Sequence, residues 1–563
     1  MSTAQPIIIV GGGLSGLVAA HELTKKNIPV IIIDQENEGN LGGQAFWSLG
    51  GIFCVDSADQ RSNGIKDSRE LAWADWLNTA GFDRDREDHW PRQWAKAFVD
   101  FAAGKMEPYL KNLGVKFLSV GWAERGSGSA SGHGNSVPRF HLTWGVGPEI
   151  VRVFEQPVRA AAKKGLVTFR FRHQVDQIIV DSTGRAVGVQ GVVLEPSQAE
   201  RGAPSSRVAI DKFEIRGSAV LIASGGIGGN VEAVKRNWPI DRLGPKVPES
   251  FVVGVPAHVD GRMVQIAKDT GANTVNMDRM WHYTEGLANW DPIWPAHGIR
   301  VIPGPSSIWL DATGKRLPAF LFPGCDTLST LRHICATGYD YSWFILDREI
   351  ISREFSLSGS EQNPDITNKS HIQLLHRLFT RWGTWPVQAF MKHGKDFIVE
   401  DDLESLVAGM NRLASERDGP VLSLEAIRHE IQTRDAQQDN KFTKDAQIML
   451  IENTRKYGAD KRRVAKPHKI LSPAAGPLIA VRMNLLTRKS LGGLETDLDG
   501  NVLNTAGESF PGLYAAGEAS GFGGGGMHGY SSLEGTFLGG CIFSGYQAGR
   551  ALAEKYSPLS ARL

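Results

Sequence analysis

At 563 residues the chain is several times a common single domain, so it should bury more than one core. Lys+Arg 62 against Asp+Glu 61 leaves a net charge of +1, which excludes the basic footprint of a nucleic-acid binder. Hydrophobic residues at 41% with 22% charged exclude wholesale disorder. No run approaches the ~18–20 apolar residues of a transmembrane segment, and a strand-like run from Pro6 leaves no room for a signal peptide. Cys54, Cys325, Cys335 and Cys541 form no CxxC pair, which fits a reduced, cytoplasmic protein, and no metal site is read.

Glycine, 64 residues in all, is clustered rather than periodic. The apolar run Ile7–Val10 meets Gly11-Gly12-Gly13-Leu14-Ser15-Gly16, a helical stretch from about Leu14 to Lys26 follows, and a second apolar run ends in Asp34. Continuous apolar runs read as buried parallel strands. The whole predicts a βαβ unit that binds a dinucleotide. Gly11 permits the tight turn, and Gly13 lets backbone N–H groups reach a pyrophosphate at the positive helix end. Gly16 allows close packing of helix on strand, and Asp34 can accept bonds from ribose hydroxyls. FAD and NAD remain equally open on this motif.

Further clusters follow: Leu41-Gly42-Gly43-Gln44, Ser48-Leu49-Gly50-Gly51, the strand-like Ala219–Ile222 running into Ser224-Gly225-Gly226, and Ala515-Ala516-Gly517-Glu518. In this order they resemble the flavoprotein family of fumarate reductases, aspartate oxidases and 3-ketosteroid Δ1-dehydrogenases. The resemblance implies FAD as cofactor, with Gly11, Gly13, Leu14, Ser15, Gly16, Asp34 and Gln35 at its pyrophosphate and adenosine. It adds Gly42, Gly43, Gln44, Ser48, Gly50, Gly51, Ser224, Gly225 and Gly226, and Glu518 with Gly517 at the ribitol. Val175 would meet adenine through its backbone, and Asp260 opens a helix to about Gly271. No His occurs between Leu41 and Phe53, where some members attach flavin covalently, so release of flavin by acid is expected.

The expected fold is α/β: a discontinuous Rossmann-like FAD domain, residues 1–285 and 470–563, with an α+β cap at 286–469. Residues 73–115, 402–416 and 422–458 have helical spacing, the last two as exposed helices, and 124–138 have the composition of a loop or lid. Seven of the 15 tryptophans fall between Trp281 and Trp385. They either fill the cap's core or wall a flat apolar substrate site.

For catalysis, the dicarboxylate clamp of fumarate reductases has no counterpart in Thr487–Gly493 or Met527–Gly535, leaving Arg332 as the one candidate for their proton-donating Arg. The ketosteroid dehydrogenases pair a Tyr with a Gly N–H to polarise a ketone, which implies Tyr530 and Gly535 here. A second tyrosine, the α-proton base of that family, has candidates in His333, Tyr341, Tyr283 and His282. The reading is an FAD-dependent dehydrogenase acting on CH–CH bonds beside the carbonyl of a bulky apolar ketone, with an unknown electron acceptor. An ene-reductase, a fumarate-reductase-like enzyme and a non-redox hydratase or isomerase with structural FAD are the alternatives.

Overall fold

A computed structural model describes residues 5–126, 133–380 and 382–557. Of the expected loop at 124–138, residues 127–132 lie outside this description. The first sheet has six strands in the order Asn501–Leu503, Ser509–Ala515, Ala219–Ile222, Ile7–Val10, Val30–Asp34, Val167–Phe171. All neighbours are parallel except the first two. Ile7, Ile8 and Ile9 are wholly buried, as both faces of a parallel sheet require. This is the Rossmann-like α/β layer that the opening residues imply.

Both chain ends build that layer. The helix Leu14–Thr24 crosses the C-terminal helix Thr536–Tyr556 at glycines: a Cβ on Gly549 would lie 2.9 Å from Ala19 Cα, and one on Gly545 would meet the Ser15 carbonyl at 2.5 Å. Side chains at either position would push the helices apart.

A second sheet is organised around the 13-residue strand Leu478–Ser490, which pairs with Val252–Val253, Met280–Ala288, Tyr341–Asp347 and Phe397–Glu400. Gly298–Ile302, Ile308–Asp311 and Ser356–Leu357 extend it. Two strands of this sheet cross the expected borders. Met280–Ala288 straddles 285/286, and Leu478–Ser490 lies beyond 470 yet belongs to the inserted sheet. Its burial on both faces hides the alternation that would have marked the boundary.

The helical stretch 73–115 resolves into Arg69–Ala80, His89–Gly104 and Met106–Asn112, and the later one into Leu403–Ser415, Leu424–Ala436 and Ala446–Thr454. Leu403–Ser415 is amphipathic rather than simply exposed, burying Leu406, Val407 and Met410.

One buried ionic cluster braces the FAD-side layers. Arg139, wholly buried, reaches Asp67 Oδ1 at 2.7 Å and Asp75 Oδ2 at 2.5 Å. Removing one partner from a buried pair strands the other's charge, at a cost of roughly 3–5 kcal/mol. Arg139→Met should therefore lower the stability of the protein by about that amount in equilibrium denaturation, while Arg216→Met, on an exposed pair with Glu214, should fall within ~1 kcal/mol of wild type.

Candidate active site

Two adjoining cavities open between the sheets. The first, about 940 Å³, runs along the carboxyl ends of the parallel strands, where such folds bind ligands. Gly11, with φ +107°, turns the chain out of the first strand, and the helix at Leu14 starts with no side-chain cap and no acid in its first turn. Its free N–H groups face the cavity and suit an anionic pyrophosphate. Asp34 is held rigid: Oδ2 accepts from Gly12 N–H and Oδ1 from Glu36 N–H, both at 2.8 Å. Burial nevertheless pushes its carboxyl up.

At the far end Glu518 is equally fixed. Its Oε1 accepts from Ser490 N–H at 2.9 Å and Ser490 Oγ at 3.2 Å, and Gln44 Nε2 donates to Oε2. Burial, partly offset by these donors, pushes this carboxyl up too. Ser224 Oγ is buried beside the cavity without a partner. An uncapped helix start, two anchored carboxylates and an orphan hydroxyl along one cleft fit FAD.

Gly11, Gly13, Leu14, Ser15, Asp34, Gln35, Gly42, Gly43, Gln44, Val175, Ser224, Gly225, Asp260, Gly517 and Glu518 all line this cavity. Gly16 and Gly226 do not. Gly16 sits against the Gly11 carbonyl, and Gly226 against Ser490 and Glu518, so both serve close packing. His173, Gln174, His258, Arg262 and Cys541 also line it, from a strand start, a loop, a helix start and the interior of the last helix.

The second cavity, about 760 Å³, shares Gln44, Ala45, Glu518 and Cys541 with the first, so a flavin ring at that junction would face it. Ser48, Gly50, Gly51 and Gly535 line it. Its walls are Phe140, Phe522, Phe537, Leu538 and Ile302. None of the tryptophans between 281 and 385 is among them. Trp309 and Trp343 fill the second sheet's core, and Trp382 and Trp385 are exposed. The apolar walls come instead from Phe140 and Ile302 at strand ends and from Phe522, Phe537 and Leu538 after the second sheet's long strand.

Polar groups gather at one end. Tyr283 Oη donates to Glu534 Oε1 at 3.0 Å, and Arg300 Nη1 donates to the same oxygen at 2.8 Å while its guanidinium lies 3.6 Å above the Tyr283 ring. Lys489 Nζ lies 3.5 Å from Tyr283 Oη and 4.0 Å from the centre of the Phe537 ring. Burial, then the adjacent Arg488, pushes the Lys489 ammonium down to about 7. Burial would raise the Glu534 carboxyl, but Arg300 and Lys489 outweigh it and hold it below its ordinary range. Burial pushes the Tyr283 phenol well up. Gly535, φ +92°, caps the start of the helix Thr536–Tyr556, again with no side-chain cap.

The other catalytic candidates lie elsewhere. Tyr530 Oη donates to Asp83 at 2.9 Å, and its ring is packed by the guanidinium groups of Arg279 at 4.0 Å and Arg242 at 4.4 Å. It lines neither cavity. Arg332 is exposed and His333 half-buried on the helix Thr327–Ala336, outside both cavities. Tyr341 is buried in the second sheet's core against Trp343. His282 is stacked on Trp238, and burial pushes its imidazole down to about 3. The cations that do reach the cavity, Arg300, Arg488 and Lys489, were missed because strands rather than motifs deliver them.

A family model described as an FAD binding domain matches residues 6–538. A KsdD-like steroid dehydrogenase of Mycobacterium tuberculosis is 57% identical over 550 residues, 97% of this chain and 95% of that protein. Another, of Mycolicibacterium smegmatis, is 58% identical over 534 residues, 94% of this chain and 96% of that protein. Among solved structures, a 3-ketosteroid delta1-dehydrogenase of Sterolibacterium denitrificans superposes with a TM-score of 0.68 at 14% identity, covering 98% of this chain and 100% of that one. The open form of a flavocytochrome c3 fumarate reductase gives 0.61 at 18%, covering 99% and 79%.

Asp34→Ala and Glu518→Ala should each weaken FAD binding by ~1.5–3 kcal/mol, the worth of a hydrogen bond to a charged group. Flavin occupancy after dialysis reads this, and full occupancy in both variants would refute the cradle. No His lines the second cavity, so acid precipitation should leave a colourless pellet and a yellow supernatant.

Proposed function

The chain belongs to the FAD-binding flavoprotein family and is an FAD-dependent dehydrogenase, and we propose that it desaturates a bulky ketone of the 3-ketosteroid class between the α and β carbons. Tyr283, bonded to a paired Glu534 beside apolar walls and the flavin junction, is the observation that carries this reading. The relatives named as steroid dehydrogenases support it.

The ketone oxygen would lie between Lys489 Nζ and the uncapped helix start at Gly535, where cationic and dipolar donors meet charge that develops on oxygen. The α-proton would pass to Tyr283 Oη as the phenol proton moves to Glu534 Oε1, so that no phenolate is left in a buried site. Arg300 holds Glu534 ionised and fixes the Tyr283 ring. Phe140, Phe522, Phe537 and Leu538 would exclude water and orient the ring system. FAD, when bound, supplies the acceptor for the hydride from the β carbon. The acceptor that reoxidises it is a separate partner. The four cysteines are free thiols, in keeping with a cytoplasmic setting, and no helix among the described residues is long and apolar enough to cross a membrane.

Anaerobic mixing with 4-androstene-3,17-dione and with cyclic ketones should bleach the flavin. Tyr283→Phe should slow bleaching by ~10²–10⁴-fold, the usual worth of a positioned proton acceptor, and Tyr530→Phe should change it little. Bleaching should fall as pH rises through about 7, because neutral Lys489 no longer faces the developing enolate with a charge. In Lys489→Met that step should vanish. Three cations at the cavity give a fumarate-type reductase its one supporting observation. Rapid fumarate turnover with reduced viologen, without bleaching by any ketone, would replace the steroid reading.

A further inference from the structure

A third cleft, about 270 Å³, lies behind the polar end of the substrate cavity. It is lined by Thr79, Glu124, Gly126, Gly134, Asn135, Cys325, Asp326 and Ser531 to Glu534. One residue is common to this cleft and the substrate cavity: Glu534. Its carboxylate is therefore the partition between the two spaces. Arg300 lies between Glu534 and Glu124, with Nη1 on Glu534 Oε1 at 2.8 Å and Nη2 3.7 Å from Glu124 Oε2, close enough for charge attraction without a hydrogen bond. One guanidinium thus sets the field at both carboxyl groups.

The cleft's lining is polar and incompletely satisfied. Thr79 Oγ1 and Ser532 Oγ are buried without partners, which costs free energy unless water supplies them. Two such groups in a polar recess suit a single ordered water, where an apolar recess stays dry. Glu124 is anchored by Thr327, whose N–H donates to Oε1 at 2.8 Å and whose hydroxyl donates to Oε2 at 2.7 Å. Its side chain keeps 11% exposure, so it reaches the outer end.

We propose that this cleft is a proton exit, in which Glu534 hands the proton taken through Tyr283 to water held by Thr79 and Ser532 and on to Glu124. The proposal rests on the reading of Tyr283 and Glu534 as the proton-accepting pair. Each turnover takes one proton from the α carbon, and its bonding pair becomes the new double bond as hydride leaves the β carbon for FAD. That proton must leave before Glu534 can act again, and a bound bulky substrate closes the apolar side. The two carboxyls are electrostatically suited to the exchange. Burial and the Glu534 charge push Glu124 well above the carboxylate range, so it carries a proton to release as the next arrives. Arg300 opposes this, and Asp326 reinforces it.

Two measurements decide the matter. In anaerobic stopped flow with 4-androstene-3,17-dione and a pH dye, flavin bleaching and proton appearance should keep pace in the wild type. In Glu124→Gln proton appearance should lag bleaching by tenfold or more, and added formate should close the gap. The second uses the FAD-loaded protein with no ketone. An infrared carbonyl band should be present at neutral pH and disappear in Glu124→Gln. Proton release in step with bleaching in Glu124→Gln, or no carbonyl band that Glu124→Gln removes, overturns the exit. A wild-type flavin that no ketone bleaches sinks the steroid reading instead, and the carbonyl band still decides whether Glu124 has a proton to release.

Discussion

Glu518 and Ser490 meet at the joint on which the molecule's chemistry depends. Ser490 closes the long strand at the centre of the inserted sheet, and Glu518 follows the last strand run of the FAD layer. Their bonds, N–H and hydroxyl to one carboxylate oxygen, pin the end of one sheet to the end of the other. The other oxygen is taken by Gln44, which comes from a third segment. A buried carboxylate without these donors would be costly enough to reorganise around. With them it becomes a fixed point, and the two cavities lie on either side of it.

The same long strand supplies the site's cations. Arg488 and Lys489 immediately precede Ser490, so the hydrogen bonds that hold Glu518 also fix where those charges stand. Met280–Ala288 pairs with this strand and places Tyr283, and Gly298–Ile302 pairs next and places Arg300. Successive strands thus deliver Lys489, Tyr283 and Arg300 to one end of the cavity. Glu534 arrives from the opposite direction, one residue before the glycine that starts the last helix. Electrostatics then separate their roles: burial strips charge from Lys489 near neutrality, whereas Arg300 keeps Glu534 ionised.

What could be read from residues alone follows from this construction. The FAD cradle is built of short local patterns, strand to glycine turn to helix, and Asp34 or Glu518 at a strand end says what it does by its neighbours in sequence. Tyr283, Arg300, Lys489 and Glu534 have no such neighbours. They meet across some 250 positions only because a sheet brings them together, and its central strand is so evenly buried that neither its border nor its role stands out. Tyr530 shows the opposite error. Its spacing to Gly535 is close to a familiar pattern, but its phenol bonds to Asp83 and its ring packs on Arg279 and Arg242, outside both cavities. The tryptophans left two readings open for another reason. Large rings fill cores as readily as they line pockets, and composition does not distinguish the two.

The glycine-mediated contact between the first and last helices has a consequence for biogenesis. Gly517, Glu518 and Cys541 complete a cradle whose other wall, around Gly11 to Gln44, is synthesised about 500 residues earlier. Elongation at roughly 5–20 residues per second puts ~25 seconds or more between the two. Throughout that interval the nascent dinucleotide motif lacks its C-terminal helix and the strand Ser509–Ala515. Capture of the cofactor therefore waits for the late segment, and a chain cut short before the helix Thr536–Tyr556 would leave the ribosome with the opening fingerprint intact and no means of retaining flavin.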